Sequence, residues 1–168
     1  MRRHWLQLLG ISGSVLLADQ ASKALVSARL LPNQSLAPLA ALEPLFRITY
    51  SQNRGAAFGF LPVAADFFLF IALAFVLALL WYYPRLATAG RLTRLAGGLI
   101  CGGALGNALD RLQHGYVIDF IHYRIPGLVS NVSNLADHAI VLGALLLLLD
   151  GRLPARRKAR PRPAQEGG

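Results

Sequence analysis

Residues 67–83, FFLFIALAFVLALLWYY, run without one charged, amide or glycine residue. Such a stretch cannot face water along its length, and its closing Trp-Tyr-Tyr supplies the amphipathic rings that favour a membrane–water boundary. Three other segments are apolar with a few polar interruptions, and a bilayer core needs about 20 such residues per helix. The pattern predicts an integral membrane, mostly α-helical chain with four transmembrane helices, at about 5–26, 64–83, 92–110 and 135–149. Composition points the same way: 55% of the residues are hydrophobic and only 15% charged, where soluble domains carry nearer a quarter charged.

A formal charge of +9 could suggest nucleic acid, but its distribution excludes that partner. The basic residues flank apolar runs instead of forming one face. The N-terminus, the loop around 84–94 and the C-terminal tail hold eleven of the seventeen Lys and Arg residues. Counting basic residues therefore predicts both termini in the cytoplasm. The tail at 151–168, rich in Arg and Pro, reads as a disordered, solvated extension near anionic lipid. The first run resembles a secretory signal, yet Asp19, Gln20 and Lys23 make a poor approach to a processing site. It is expected to stay as a helix. Between the first two spans, residues about 30–62 contain LFRITY and NRGAAFGF, which predict a small β-rich element on the outer face.

With that orientation, depth follows from about 1.5 Å of rise per helical residue. Asp19 and Lys23 fall in the outer part of the first span. Asn107, Asp110 and Arg111 end the third, and Asn134, Asp137 and His138 begin the fourth. Three helices thus carry their polar groups to one layer. Asp19 and Lys23 are four residues apart and can pair, and Asp110 with Arg111 reads as an ordinary interfacial pair. Gly98, Gly102 and Gly106 repeat at the four-residue spacing that lets helices approach closely. Cys101, the single cysteine, belongs to this packing surface.

Asp119 and Asp137 are the hardest to explain structurally. Each sits among aliphatic side chains, and ionisable residues in such places are costly and functional by default. Two carboxyl groups close together in a low-dielectric site cannot both ionise, so the pair shares a proton and offers a general base and a general acid together. Applied to a peptide bond, one activates water while the other hydrogen-bonds the carbonyl. Neither a metal nor another cofactor is expected, since no HExxH or cysteine cluster occurs. The GISG at 10–13 resembles the GxSG of rhomboid-type proteases, but Ser12 and His138 lie at different depths, so Ser12 reads as packing. The rival reading is a small membrane transporter or proton-conducting protein, which should spread its polar groups through the whole bilayer.

DQASK (19–23), NRGAAF (53–58), GGALGNALDR (102–111), VIDF (117–120) and NLAD (134–137) together resemble, in order, the motif blocks of the lipoprotein signal peptidase (signal peptidase II) family. The resemblance implies a bacterial inner-membrane aspartyl endopeptidase, monomeric, in one domain over 1–150, in contact with membrane lipids. Its active site would lie near the periplasmic face. Its substrates would be diacylglyceryl-modified prolipoproteins, cleaved before the lipidated cysteine. Carried over by position, Asp119 and Asp137 match the catalytic pair. Asn53, Asn107, Arg111, Asn134, Asp19 and Lys23 match the substrate-binding or supporting positions. Ser133 and His138 depart from the family's pattern, and Asn131 is an alternative to Asn134 for the asparagine role.

Overall fold

The computed structural model describes residues 2–55, 64–86, 90–125 and 127–152. Four helices, α1 (Arg2–Arg29), α2 (Ala64–Leu86), α3 (Arg91–His114) and α4 (Leu135–Arg152), coincide with the four expected segments. A four-stranded antiparallel sheet completes the chain: β1 (Ser35–Leu36), β2 (Phe46–Asn53), β3 (Val117–Ile125) and β4 (Val129–Ser133), in that spatial order. The expected β-rich segment supplies β1 and β2. Its last part, including Ala56–Phe58 of the NRGAAF block, lies outside the described residues, as does the basic tail from 153. Residues 111–134, for which the sequence analysis assigns no secondary structure, contain the β3–β4 hairpin that forms half of the sheet.

Among the described residues no helix is long and apolar enough to cross a membrane. In α1 and α3 the apolar runs are broken by serines, glycines and ionisable residues. The ionisable ones in the outer turns, Asp19, Lys23 and Asp110, face inward. Asp19 is 0% exposed, Lys23 1% and Asn134 0%, while Leu17, Phe70 and Leu77 are 72%, 70% and 67% exposed. A water-soluble fold has the opposite distribution.

The α3 helix is the centre of the bundle because its glycines let two neighbours in. A Cβ on Gly102 would lie 2.6 Å from the Ser12 carbonyl oxygen of α1, and one on Gly98 2.7 Å from Ile11. Gly103 meets the Ala136 carbonyl of α4 in the same way. Close approach replaces the lateral hydrophobic force that lipid would not supply, and Ser12 adds a hydrogen bond to Gly98 O at 3.0 Å. Away from the polar layer, Leu8, Val76, Leu79, Tyr83, Ile100 and Ala104 form a core joining α1, α2 and α3. Trp5 packs there against Tyr83 with ring centroids 5.2 Å apart. At the other end, Val26 of α1 packs with Tyr50, Ile118 and Phe120. This second core seats the sheet on the bundle.

Candidate active site

The sheet aims the first aspartate. In β3, side chains alternate between faces, so Asp119, Ile121 and Tyr123 share one face. The β2–β3 pairing runs Phe46↔Tyr123 and Ile48↔Ile121, then shifts at an irregularity to Ser51↔Asp119 and Asn53↔Val117. One extra residue there reverses which side chains face the site. Asn53 therefore becomes the diagonal neighbour of Asp119, and its Nδ2 donates to Asp119 Oδ2 at 2.9 Å. The Asn53 amide cannot turn over, since its Oδ1 accepts from Gly55 N at 2.9 Å.

The second aspartate is placed by the start of α4. Asn134, between β4 and α4, caps the helix: its Oδ1 accepts from Asp137 N at 2.9 Å, the third-position contact that satisfies an otherwise orphaned donor. Another first-turn donor, Ala136 N, reaches Asp19 Oδ1 of α1 at 3.0 Å, so an anion from a neighbouring helix meets the positive end of α4. With its oxygen committed, Asn134 can only donate elsewhere. Its Nδ2 bonds Asp119 Oδ1 at 2.6 Å and Asn107 Oδ1 at 3.2 Å. Asn107 Nδ2 donates in turn to Asp137 Oδ1 at 2.7 Å. The two carboxylates are thus joined through two asparagine amides.

Lys23 sets the direction of that bridge. Its Nζ lies 2.7 Å from Asp19 Oδ2, 2.8 Å from Asp110 Oδ2 and 3.2 Å from Asn107 Oδ1. A cation can only be met by the amide oxygen of Asn107, which turns the Asn107 nitrogen toward Asp137. Arg111 sits at the edge, donating to Asn107 O at 3.1 Å and interacting electrostatically with Asp137, Asp119 and Asp110.

Burial pushes the Asp119 carboxyl up to about 6; the charge of Asp137 adds to this, while the amide bonds from Asn53 and Asn134 and the charge of Lys23 pull it back. Asp119 is 2% exposed. Asp137 is half-buried and opens onto a groove of about 630 Å³. Asn53, Asn131, Ser133, Asp137 and His138 line the polar end of this groove, and Val141, Leu142 and Leu145 its apolar end. Among the described residues no group of three or more His, Cys, Asp or Glu side chains is placed to hold a metal ion.

All eight residues singled out from sequence fall in or around this network. Asn134 takes the interior position and Asn131 the groove wall, and the small Ser133 is buried with its hydroxyl on Ile121 O at 3.4 Å. Ser12 and His138 have separate partners. Asp110 needs correction: it is not an interfacial residue but is 1% exposed, ion-paired with Lys23 and accepting from Ile118 N at 2.9 Å. Gln20, not singled out either, donates to Asp110 Oδ1 at 2.8 Å. Both signals were available. Asp110 continues the Gly98-Gly102-Gly106 spacing, and adjacent helical residues such as 110 and 111 do not face each other.

Similarity to known proteins extends over most of the chain. Residues 11–152 match the family described as Signal peptidase (SPase) II. The chain is 44% identical to the lipoprotein signal peptidase of Halothermothrix orenii over 135 residues, covering 80% of this chain and 88% of that protein. The corresponding protein of Syntrophomonas wolfei is 44% identical over 87% of this chain and 93% of its own length. That of Cronobacter sakazakii is 38% identical over 92% of each. The fold is similar to a bacterial membrane enzyme structure obtained by the in meso method at 1.9 Å resolution, with a TM-score of 0.78 and 28% identity over 87% of this chain and 92% of that one. A second such structure, at 2.3 Å resolution, gives a TM-score of 0.76 at 28% identity over 91% and 94%.

Proposed function

The chain belongs to the signal peptidase II family, and from that premise we propose that Asp119 and Asp137 are its catalytic pair. The protein is a signal peptidase that cleaves signal peptides from prolipoproteins. In our reading the two carboxyls share one proton. The ionised member takes a proton from a water held in the groove, and the resulting hydroxide attacks the scissile carbonyl carbon. The protonated member donates to the carbonyl oxygen, giving a tetrahedral diol with no covalent acyl-enzyme. As the diol collapses, the C–N bond breaks and the amine leaves with a proton returned from the pair. The observation that carries this reading is the bridge from Asp119 through Asn134 and Asn107 to Asp137, which ties the two carboxyl groups together using uncharged donors.

The supporting residues take distinct parts. Asn53 and Asn134 hold Asp119, Asn107 holds Asp137, and Arg111 at the rim is placed to meet the substrate. Asp19 and Lys23, with Asp110, keep α1, α3 and α4 in register. The inward polar and outward apolar distribution supports four helices packed together across a bacterial inner membrane, with both termini cytoplasmic and the site near the periplasmic face. The peptidase unit spans 1–150 and acts as a monomer among membrane lipids, with 151–168 a cytoplasmic tail. The groove's apolar end along α4 suits a substrate arriving from the bilayer. That favours a diacylglyceryl-modified prolipoprotein cut before its lipidated cysteine.

Cleavage of such a prolipoprotein by the purified protein in detergent tests the reading. Asp119→Asn and Asp137→Asn are each expected to abolish product while helical content stays unchanged. Retained cleavage by either folded variant overturns the assignment.

A further inference from the structure

Strand β3 and helix α4, which carry the two aspartates, are joined at a second place. Inside the site the joint is Asn134 to Asp119, at 2.6 Å. At the groove mouth, Tyr123 of β3 meets His138 of α4, Oη to Nε2 at 3.2 Å with ring centroids 5.9 Å apart. Tyr123 lies on the same face of β3 as Asp119, and His138 directly follows Asp137. Tyr123 is itself steadied by Phe46 of β2, 6.2 Å away between ring centroids. The β3–β4 pairing ends at Ile121↔Ser133, just before Asn134, and the Tyr123–His138 contact adds a further tie that limits rocking of α4 against β3.

The His138 ring also acts on Asn134. Its Nδ1 lies 2.6 Å from the Asn134 carbonyl oxygen, closer than the backbone bond from His138 N to the same oxygen at 3.3 Å. A carbonyl only accepts, so Nδ1 carries the hydrogen, and Nε2 is left to accept from the Tyr123 hydroxyl. The tautomer is thereby set by the two partners together. We propose that His138 is a positioning residue for the aspartate pair: keyed by Tyr123, its ring fixes the backbone of Asn134 and so the aim of the Asn134 amide at Asp119. This rests on the assignment of Asp119 and Asp137 as the catalytic pair. Both rings are exposed, so the clasp contributes little to stability, yet it bears on geometry to which rate is steeply sensitive.

The test measures kcat and KM for Tyr123→Phe, His138→Ala and the double variant on a lipidated prolipoprotein in detergent, with thermal unfolding of each. Tyr123→Phe keeps the ring against Phe46 and removes one oxygen, so it folds even if His138→Ala does not. Each single variant is expected to lower kcat about 5- to 10-fold with KM within about twofold, and the double is expected to be no slower than the slower single, as coupled residues require. Additive losses in the double variant, or a raised KM with unchanged kcat, overturn the proposal and make the two side chains mere substrate contacts. Asp119→Asn and Asp137→Asn are run in parallel. If they retain cleavage, the catalytic pair has failed; if they are inactive while Tyr123→Phe matches the parent, only the clasp has.

Discussion

Asp119 carries a carboxyl held at about 6, against 3.8 for the same group unperturbed. Between those values the folded protein keeps a proton that the unfolded chain has released. Its contribution therefore favours the folded state at the acid end and is lost as pH rises through about 6. A shift of roughly two units at about 1.4 kcal/mol each amounts to about 3 kcal/mol between pH 4 and pH 7. Asp119→Asn removes this titration but adds an offset of its own. Both Asp119 oxygens accept from amide nitrogens whose own oxygens are occupied by Gly55 N and Asp137 N, so neither amide turns over to receive the new NH2. The mismatched donor costs about 1–3 kcal/mol at every pH. Thermal unfolding in detergent from pH 4 to 8 separates the two effects. The variant should melt well below the parent at pH 4, and the gap should close by on the order of 10 °C toward pH 8. Parallel curves for the two proteins refute the argument, because they mean that Asp119 titrates alike in the folded and unfolded chains.

Four further outcomes are expected. Lys23→Met leaves Asp19 and Asp110 buried without their shared cation; a loss of about 3–5 kcal/mol should appear as a lower melting temperature, with cleavage lost because Asn107 is no longer oriented. Asn53→Ala removes a bond that favours ionised Asp119, so the alkaline limb of the pH–activity profile should move up by about one unit, read from initial rates at saturating substrate. Gly103→Val drives a side chain into the Ala136 carbonyl and should cost about 1–3 kcal/mol together with activity. Gly10→Ala, where nothing lies within 4 Å of the added carbon, should leave melting and rate unchanged.

The helices were legible because each is a mostly apolar stretch of helical length, and the polar layer because its residues fall at matching ends of those stretches. Asp119 and Asp137 stood out through the cost of their surroundings. What stayed hidden depends on pairing between distant segments. The irregularity in β2 that brings Asn53 to the Asp119 face is a register effect, set by which strands meet, and no local signal marks it. The hairpin was missed for a different reason. VIDFIHYRI has strand composition and Gly127 a turn-forming φ of 75°, but counting charges assigns this segment only a side of the membrane and no secondary structure. Asp110 was misread because its sequence neighbour Arg111 offered an easy partner. On a helix that neighbour points elsewhere, and the stripe through Gly98, Gly102 and Gly106 leads Asp110 to Lys23.

The layer also separates its charges in a way that suits the proposed chemistry. A lysine bonded directly to Asp119 would favour its ionised form and remove the shared proton. Here the buried cation is bound by Asp19 and Asp110, and it touches the carboxylate pair only through the oxygen of Asn107. Its electrostatic pull on Asp119 remains, but ranks behind burial, both amide bonds and the charge of Asp137. Asparagine suits the intervening position, since one face accepts from the cation while the other donates to an anion, and the amide adds no charge. The glycines serve the same end. They bring α1 and α4 close enough to α3 for Lys23, Asn107 and Asn134 to form one chain of contacts, so the packing of the bundle and the protonation of Asp119 have a common structural origin.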